Sequence, residues 1–506
     1  MVNDSINKKR PYQDALASPL AKPATPKRLA PSTLARHPLG IKPWGNYLLD
    51  STSPNFPGER RTPGLGVLAQ LSDDTVLEIV SLLPARTVVV LSYVSKALYI
   101  FSMHEEGWRN RTIDELGGEF EWCGSWRTTY LKKVFGIDYG GVPLAIDRFY
   151  SDTLYHPFRC TSLDLTPYAH FEHGIERRAN LSLEEFREKY ELPNKPVILT
   201  DVVPQWPAFQ NSSWTKSSLL TRYGDIKFRA EAIDITLREY FKYADTTADE
   251  SPLYLFDKRF CENCKGMAED FEVPAYFAED LFAVLGEKRP DWRWIIVGPA
   301  RSGSTFHKDP NSTSAWNAVL TGAKLWIMYP PHQLPPGVFT SPDESEVTSP
   351  VSIAEWFLNF YEQTLPSRCP PDQRPVQAVC RAGEIMFVPC GWWHLVVNLE
   401  ESVAVTQNYV GSQNLGSVLR FLSEKRDQVS GVPVERREGL YEEFREKLQV
   451  VYPDLLARIE REEEERRLKA RANKREGGWW DKLKGIQEGD KAASFSFGFG
   501  GSDDEE

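Results

Sequence analysis

Residues 304–330 read STFHKDPNSTSAWNAVLTGAKLWIMYP, and residues 383–410 read GEIMFVPCGWWHLVVNLEESVAVTQNYV. In the first stretch His307 and Asp309 stand two apart. Side chains at i and i+2 of an extended strand leave the same face, so an imidazole and a carboxylate there can hold one cation. That is half of a metal site. His394, in a strand-like context in the second stretch, supplies the natural third ligand.

Around these residues the pattern is nearly all β. TSAWNAVL, a Thr321-Gly322 turn, AKLWIMYP, then GEIMFVP, LVVNL and SVAVTQNYV are short strands with tight turns, which predicts a mainly β barrel or jelly roll of the cupin type. A lone His-x-Asp is weak, because a strand histidine is often simply hydrogen-bonded; a structural or zinc-binding barrel is the plain alternative. The neighbours sharpen it. Asn317 and Lys324 fall on successive predicted strands, and a buried lysine requires an anionic partner, which a dicarboxylate cosubstrate would provide. Two histidines and one carboxylate on one side of an iron leave the opposite positions open, the donor arrangement of non-haem Fe(II) oxygenases. Trp316, Trp392 and Trp393 are expected to pack there and help keep the site dry.

At 506 residues the chain exceeds one hydrophobic core, so two or more domains are expected. Its 41% hydrophobic and 26% charged residues fit a soluble protein, with no apolar run near the ~18 residues of a membrane helix. Met1 to Arg10 lacks the apolar segment of a signal peptide, so the seven cysteines are read as reduced, without structural disulfides. Cys261-x-x-Cys264 lacks a second pair at ribbon-like spacing, and Cys369 and Cys380 lie far away, so no zinc site is expected there. A net charge of −11 argues against direct nucleic-acid binding and favours protein substrates with basic segments.

Residues 1–65 are rich in Pro, Ser, Thr, Ala and Arg and read as a disordered basic arm. Within it Lys8-Lys9-Arg10 and Lys27-Arg28 fit a bipartite nuclear import signal, or else a solvated charge cluster, and Thr25-Pro26 fits a proline-directed kinase site. Residues 66–112 form a small helical domain: Ser72-Asp73-Asp74 supplies caps, and Val76, Ile79, Val80 and Leu83 follow at helical spacing until Pro84. Residues 113–170 read as a connecting segment, aromatic-rich from Trp122 to Leu165. The oxygenase-like domain spans 171–430 and opens with a capping box, Ser182 with Glu185, on a helix through Tyr190. A buried strand is expected at Val197 to Leu199 and an acidic helix around Glu279 to Leu285. Residues 431–476 read as C-terminal helices, with Leu440, Phe444, Leu448 and Val451 at helical spacing, and 477–506 as a disordered acidic tail.

Two resemblances add to this reading. LSDDTVLEIVSLLPARTVVVLSYVSKALYIFSMHEEGWRN resembles an F-box, although Leu71-Ser72 stands where Leu-Pro is common. That implies docking on the Skp adaptor of a cullin–RING ubiquitin ligase; a helical domain packed on the enzyme is the alternative. SPLYLFD, GPARSGSTFHKDP, TSAWNAVLTGAKLW, FVPCGWWHLVVNL and TQNY, in that order over roughly residues 170–430, resemble the JmjC 2-oxoglutarate oxygenases, most closely their lysyl hydroxylase and arginine demethylase branch. The resemblance implies a double-stranded β-helix with flanking helices. It implies His307, Asp309 and His394 as iron ligands, and Lys324, Thr406 and Tyr254 on the distal carboxylate of 2-oxoglutarate. Asn317 and Ser304 would line the same pocket, Ser304 replacing a threonine of the family with its hydroxyl retained. The implied cofactors are Fe(II), 2-oxoglutarate and O2, with ascorbate as reductant. The expected activity is lysine hydroxylation of a nuclear protein; demethylation, or a ubiquitin-ligase adaptor that uses the barrel for recognition, are the alternatives.

Overall fold

The computed structural model describes residues 35–44, 58–170 and 174–469. The strands of its two large sheets are β1 (Arg177–Arg178), β2 (Val197–Leu199), β3 (Lys227–Ala230), β4 (Ile233–Thr236), β5 (Leu255–Asp257), β6 (Arg293–Gly298) and β7 (Gly303–His307). They continue as β8 (Ser314–Thr321), β9 (Ala323–Tyr329), β10 (Val376–Arg381), β11 (Ile385–Val388), β12 (Trp393–Asn398) and β13 (Ser402–Tyr409). Nine form one sheet in the order β1-β2-β11-β8-β13-β6-β5-β3-β4, and four form a second in the order β10-β9-β12-β7. The two sheets face each other as the expected cupin-like jelly roll.

Period-two alternation assigns each side chain to a layer. From β8, Ala315 and Val319 turn into the barrel beside Met386, Trp326, Met328, Ala378, Cys380 and Val396. The intervening Trp316, Ala318 and Leu320 face outward into a core that runs on through the N-terminal helices. On the small sheet Leu325, Ile327, Leu395 and Val397 face outward against Trp356 and Phe357. Both faces of these strands are buried, which is why β8 and β9 read as nearly continuous apolar runs.

Among the helices are α1 (Arg61–Leu65), α2 (Asp73–Leu82), α3 (Ala85–Leu91), α4 (Lys96–Ser102), α5 (Glu105–Leu116), α6 (Trp126–Phe135) and α7 (Asp152–Thr161). They are followed by α8 (Leu183–Phe186), α9 (Leu237–Thr246), α10 (Ile353–Asn359), α11 (Leu415–Glu424), α12 (Leu440–Val451) and α13, residues 453–469. Ser72 caps α2 by accepting from the Thr75 amide at 3.2 Å, and Val76 and Val80 face the core. No helix among the described residues is long and apolar enough to cross a membrane.

Several expectations require correction. The arm does not lack structure throughout residues 1–65: Ile41–Lys42 pairs with Phe149–Tyr150, Leu39 and Ile41 are buried, and Arg61–Leu65 is helical. The segment 113–170 is more than a connector, because its aromatic side chains have a core to enter. Trp122 and Trp126 pack edge-on at 5.1 Å and both meet Tyr243 of α9, while Trp126 Nε1 donates to Asp249. The capping box of Ser182 and Glu185 is formed, but α8 gives way to a π-turn at Arg187–Glu191 that seats Tyr190 against Arg178. The acidic helix is a 3-10 segment, Leu281–Lys288, interrupted at Gly286 where φ is +58°. The C-terminal helices break at Tyr452 and bury Leu440, Phe444, Leu448, Leu456 and Ile459, leaving Val451 exposed. The basic clusters at Lys8-Lys9-Arg10 and Lys27-Arg28, Thr25 and the acidic tail lie outside the described residues.

The Thr321-Gly322 turn carries the chain from one sheet to the other. Gly322 has φ +81°, and a Cβ there would collide with the Glu401 carbonyl and Ser402. Gly391, at φ +75°, has Pro331 Cβ no closer than 3.6 Å. Gly322→Ala is therefore expected to lower unfolding stability by about 2–3 kcal/mol and Gly391→Ala by about 1 kcal/mol. Denaturant titration of the two variants checks the order; equal losses would refute the collision.

Candidate active site

Strand pairing brings the metal-type residues together. His307 at the end of β7 lies directly opposite His394 on β12, with ring centroids 4.1 Å apart. Asp309 follows in extended backbone, φ −60° and ψ 145°, as β7 runs into a 3-10 turn. One ligand atom from each of His307, Asp309 and His394 lies within 4.8 Å of the other two. Nδ1 of His307 is 2.7 Å from the Thr305 carbonyl and Nδ1 of His394 is 3.0 Å from the Trp392 carbonyl. A carbonyl only accepts, so Nδ1 is the N–H donor on each ring and Nε2 keeps its lone pair for a metal.

The electrostatics of this cluster suit a cation. Asp309 is partly buried as a residue, and its Oδ2 is shut off from solvent without a hydrogen-bond partner. Burial pushes its carboxyl above the usual carboxylate range, opposed by His307 and a hydrogen bond from Asn408. Burial, reinforced by His307, holds His394 well below the usual histidine value. Two imidazoles beside an orphaned carboxylate oxygen are a donor set that fits a divalent metal with open positions.

A register shift widens the site. His394 opposes His307 and Val396 opposes Ser304, so β7 has one residue more than β12 over this interval. Residues three apart on a regular strand point to opposite faces; the bulge lets Ser304 and His307 share one. Both line a cleft of about 350 Å³ with Glu231, Glu250, Ser251 and Arg301.

Deeper in the barrel, Lys324 is 0% exposed. Its Nζ donates to Tyr254 Oη at 2.9 Å and Asn398 Oδ1 at 2.7 Å, and no carboxylate among the described residues pairs with it. Burial lowers its pKa to about 7, and the same burial pushes Tyr254 up. Lys324 lies opposite Asn398, and Met328 opposite His394. The two ends of this surface are thus four residues, roughly 13 Å, apart along β12 on one face. Asn317 and Thr406 are cross-strand partners on the large sheet; Asn317 Oδ1 is buried and unpaired, whereas Thr406 Oγ1 donates to the Trp316 carbonyl at 2.9 Å.

Each residue expected to hold iron or 2-oxoglutarate therefore lies on the barrel interior or its rim. Two roles were not anticipated. Asn398 holds the lysine and itself donates to Ser302 Oγ at 2.9 Å. Its position four residues after His394 on one strand is the signal that marks it. Trp326, not Trp316 or Trp393, lies against His394, at 5.8 Å; Trp316 and Trp393 pack on the outer faces. Strand alternation turns Trp316 away from the face of Asn317 and Trp393 away from that of His394, which corrects the expectation that they pack at the site. Cys261 and Cys264 belong to none of the metal-type clusters among the described residues.

A family described as a cupin-like domain matches residues 183–414. The arginine-specific demethylase JMJ22 of Arabidopsis thaliana is 44% identical over 452 residues, 88% of this chain and 87% of its own. The chain belongs to the JmjC family of cupin-like oxygenases. Within it, the bifunctional arginine demethylase and lysyl-hydroxylase psr-1 of Caenorhabditis elegans is 37% identical over 50% of this chain and 65% of its own. The human 2-oxoglutarate and iron-dependent oxygenase JMJD4 is 27% identical over 48% of this chain and 63% of its own. Iron and 2-oxoglutarate are the cofactors of this JmjC fold, and the unpaired ammonium and orphaned carboxylate oxygen fit both.

An anion beside Lys324 would raise its pKa from about 7 toward the usual lysine value. The lysine is then mostly neutral before binding at pH 8 and charged after it, so 2-oxoglutarate is expected to take up as much as one proton. Calorimetry in two buffers of different ionisation enthalpy measures this. Lys324→Met should abolish the uptake and weaken binding more than tenfold; uptake unchanged in that variant would refute the assignment.

Proposed function

We propose that the protein is an Fe(II)- and 2-oxoglutarate-dependent protein oxygenase that hydroxylates lysine side chains of nuclear proteins. The observation that carries this reading is the pairing, inside one barrel, of a metal-type triad with a buried lysine that has no anionic partner among the described residues. His307, Asp309 and His394 would hold the iron. Lys324, with the hydroxyls of Tyr254 and Thr406, would fix the distal carboxylate of 2-oxoglutarate. Asn317 and Ser304 would line the cosubstrate's path, Thr406 exchanging its bond to the Trp316 carbonyl for one to the ligand.

Bound iron supplies the redox chemistry by which dioxygen oxidises 2-oxoglutarate to succinate and carbon dioxide and inserts one oxygen atom into a substrate C–H bond, with ascorbate maintaining the ferrous state. The chain's own part is to orient and to desolvate. Nδ1 hydrogen bonds hold the two imidazoles, Trp326 walls one side of His394, and Asn398 and Tyr254 hold the lysine for the carboxylate. Support for a basic substrate comes from the net charge of −11 and from a cleft with two carboxylates, Glu231 and Glu250, against one guanidinium, Arg301. Demethylation remains the close alternative, because JMJ22 is named an arginine demethylase and psr-1 carries both activities in its name. Both begin with the same C–H hydroxylation; on an N-methyl group the product collapses to formaldehyde.

Wild-type protein with iron, ascorbate and a basic peptide is expected to turn 2-oxoglutarate into succinate and to add one oxygen to lysine. His307→Ala should lower succinate formation at least a hundredfold. Mass spectrometry with formaldehyde detection decides between the chemistries: methyl loss with formaldehyde, and no oxygen gain, would replace the hydroxylase reading. Equal turnover in wild type and His307→Ala would remove the enzyme reading.

A second reading, a ubiquitin-ligase adaptor, draws on exposed apolar side chains in the F-box-like stretch. Leu82, Val90, Tyr93 and Val94 are 79%, 61%, 82% and 64% exposed, whereas Val80 faces the core. Such a surface suits an apolar partner such as the Skp adaptor. Tyr93→Asp combined with Val94→Asp is expected to cut co-purified adaptor at least tenfold with 2-oxoglutarate turnover retained. No association with the wild-type chain would remove this reading.

A further inference from the structure

A second group of metal-type side chains stands at the rim of the cleft that reaches His307. His156 and Cys160, four residues apart on α7, leave one face of that helix, with Sγ of Cys160 3.6 Å from Nε2 of His156. One carboxylate oxygen of Glu250, from the loop before β5, lies within 4.8 Å of both. Glu355 on α10 brings Oε1 to 3.9 Å from His156 Nε2. Each carboxylate is held from behind. Ser352 Oγ donates to Glu250 Oε1 at 2.6 Å, and the Val351 amide donates to Glu355 Oε2 at 2.8 Å.

We propose that His156, Cys160 and Glu250, completed by Glu355, form a four-coordinate site for a zinc-type divalent cation, separate from the iron site. Zinc–sulfur and zinc–nitrogen bonds of about 2.3 and 2.0–2.1 Å at a tetrahedral angle set sulfur and nitrogen ~3.6 Å apart. The observed 3.6 Å between Cys160 and His156 matches that edge. The corresponding nitrogen-to-oxygen edge is ~3.3 Å; Glu355, 3.9 Å from His156 and outside the group of three whose ligand atoms all lie within 4.8 Å of one another, has to turn about its anchored oxygen to reach the cation. One thiolate and one imidazole select zinc over calcium or magnesium, which take oxygen donors.

The charges point the same way. Cys160 is fully buried, and that burial, with Glu250 and Glu355 nearby, raises its thiol to about 12. Arg301 is the guanidinium whose field reaches the thiol, but its Nη1 is engaged by the Asp249 carbonyl at 3.0 Å. Binding of the cation displaces the thiol proton to solvent and leaves the thiolate as ligand. All four positions come from the protein, so the site is structural. It ties α7 and α10 to Glu250, which also lines the cleft shared by Ser304 and His307. The inference stands independently of the reaction proposed above.

The test uses full-length His307→Ala, stripped with chelator, so that the iron site is silenced, with cobalt(II) as the probe. About one equivalent is expected to bind with thiolate-to-cobalt charge-transfer absorption in the near ultraviolet, displaced by zinc. Adding Cys160→Ser should abolish that band, and adding His156→Ala should weaken cobalt binding at least tenfold, with circular dichroism unchanged. X-ray absorption of the zinc-loaded His307→Ala protein reads the ligand set without further mutation: one sulfur and three nitrogen or oxygen donors are expected. A missing thiolate band at saturating cobalt, a band that survives Cys160→Ser, or a zinc shell with no sulfur or several sulfurs would overturn the proposal and leave an S–H···N hydrogen bond in its place.

Discussion

The amino group of Lys324 lies between two sheets with a phenol and an amide as its hydrogen-bond acceptors. A pKa lowered from 10.5 to about 7 corresponds to roughly 5 kcal/mol against the charged form. A folded chain carries such a burden when the partner that removes it is bound in use. The rest of the barrel follows from that requirement. Asn398 holds the lysine from the opposite strand and is itself held by Ser302, Tyr254 closes the third side, and the unpaired Asn317 Oδ1 belongs to the facing sheet. Replacing Lys324 by an apolar residue would improve the core and remove the reason for this polar surround.

Backbone register does the positioning. Antiparallel pairing sets His394 opposite both His307 and Met328, and sets Lys324 opposite Asn398, so both ends of the site are tied to one strand, β12. A one-residue slip of β12 would turn His394 and Asn398 out of the barrel together. Two local irregularities secure the arrangement. The bulge between His394 and Val396 admits Ser304 to the face of His307, and the Gly322 turn joins the two sheets where a side chain would meet the Glu401 carbonyl.

Much of this was legible in the sequence because the informative spacings are short. His307 and Asp309 are two apart, and the strands bearing Asn317, Lys324, His394 and Thr406 announce themselves by composition and turns. What stayed hidden depends on the fold. Trp393 adjoins His394 in sequence but faces the other side of the sheet, whereas Trp326, far away in sequence, lies against it. The aromatic stretch around Trp122 and Trp126 shows no helical stripe of its own because its apolar partners are on α9, more than a hundred residues on. The cluster of His156, Cys160 and Glu250 is invisible for the same reason: Glu250 belongs to a loop whose course is set by the barrel. The capping box at Ser182 was readable, but the π-turn that follows arises from seating Tyr190 on Arg178, a tertiary contact.

The two ends of the site are also linked by charge. Burial works against the ionised form of Asp309 and of Lys324 for the same physical reason, the loss of water around a full charge. A dication beside Asp309 and a dicarboxylate reaching Lys324 would balance one another, as would the carboxylate and a protonated Lys324, so an interior loaded with both would carry no net charge. Either ligand alone leaves an excess of charge in a low-dielectric space, where opposite charges interact far more strongly than in water. Each would therefore favour the other at these two positions.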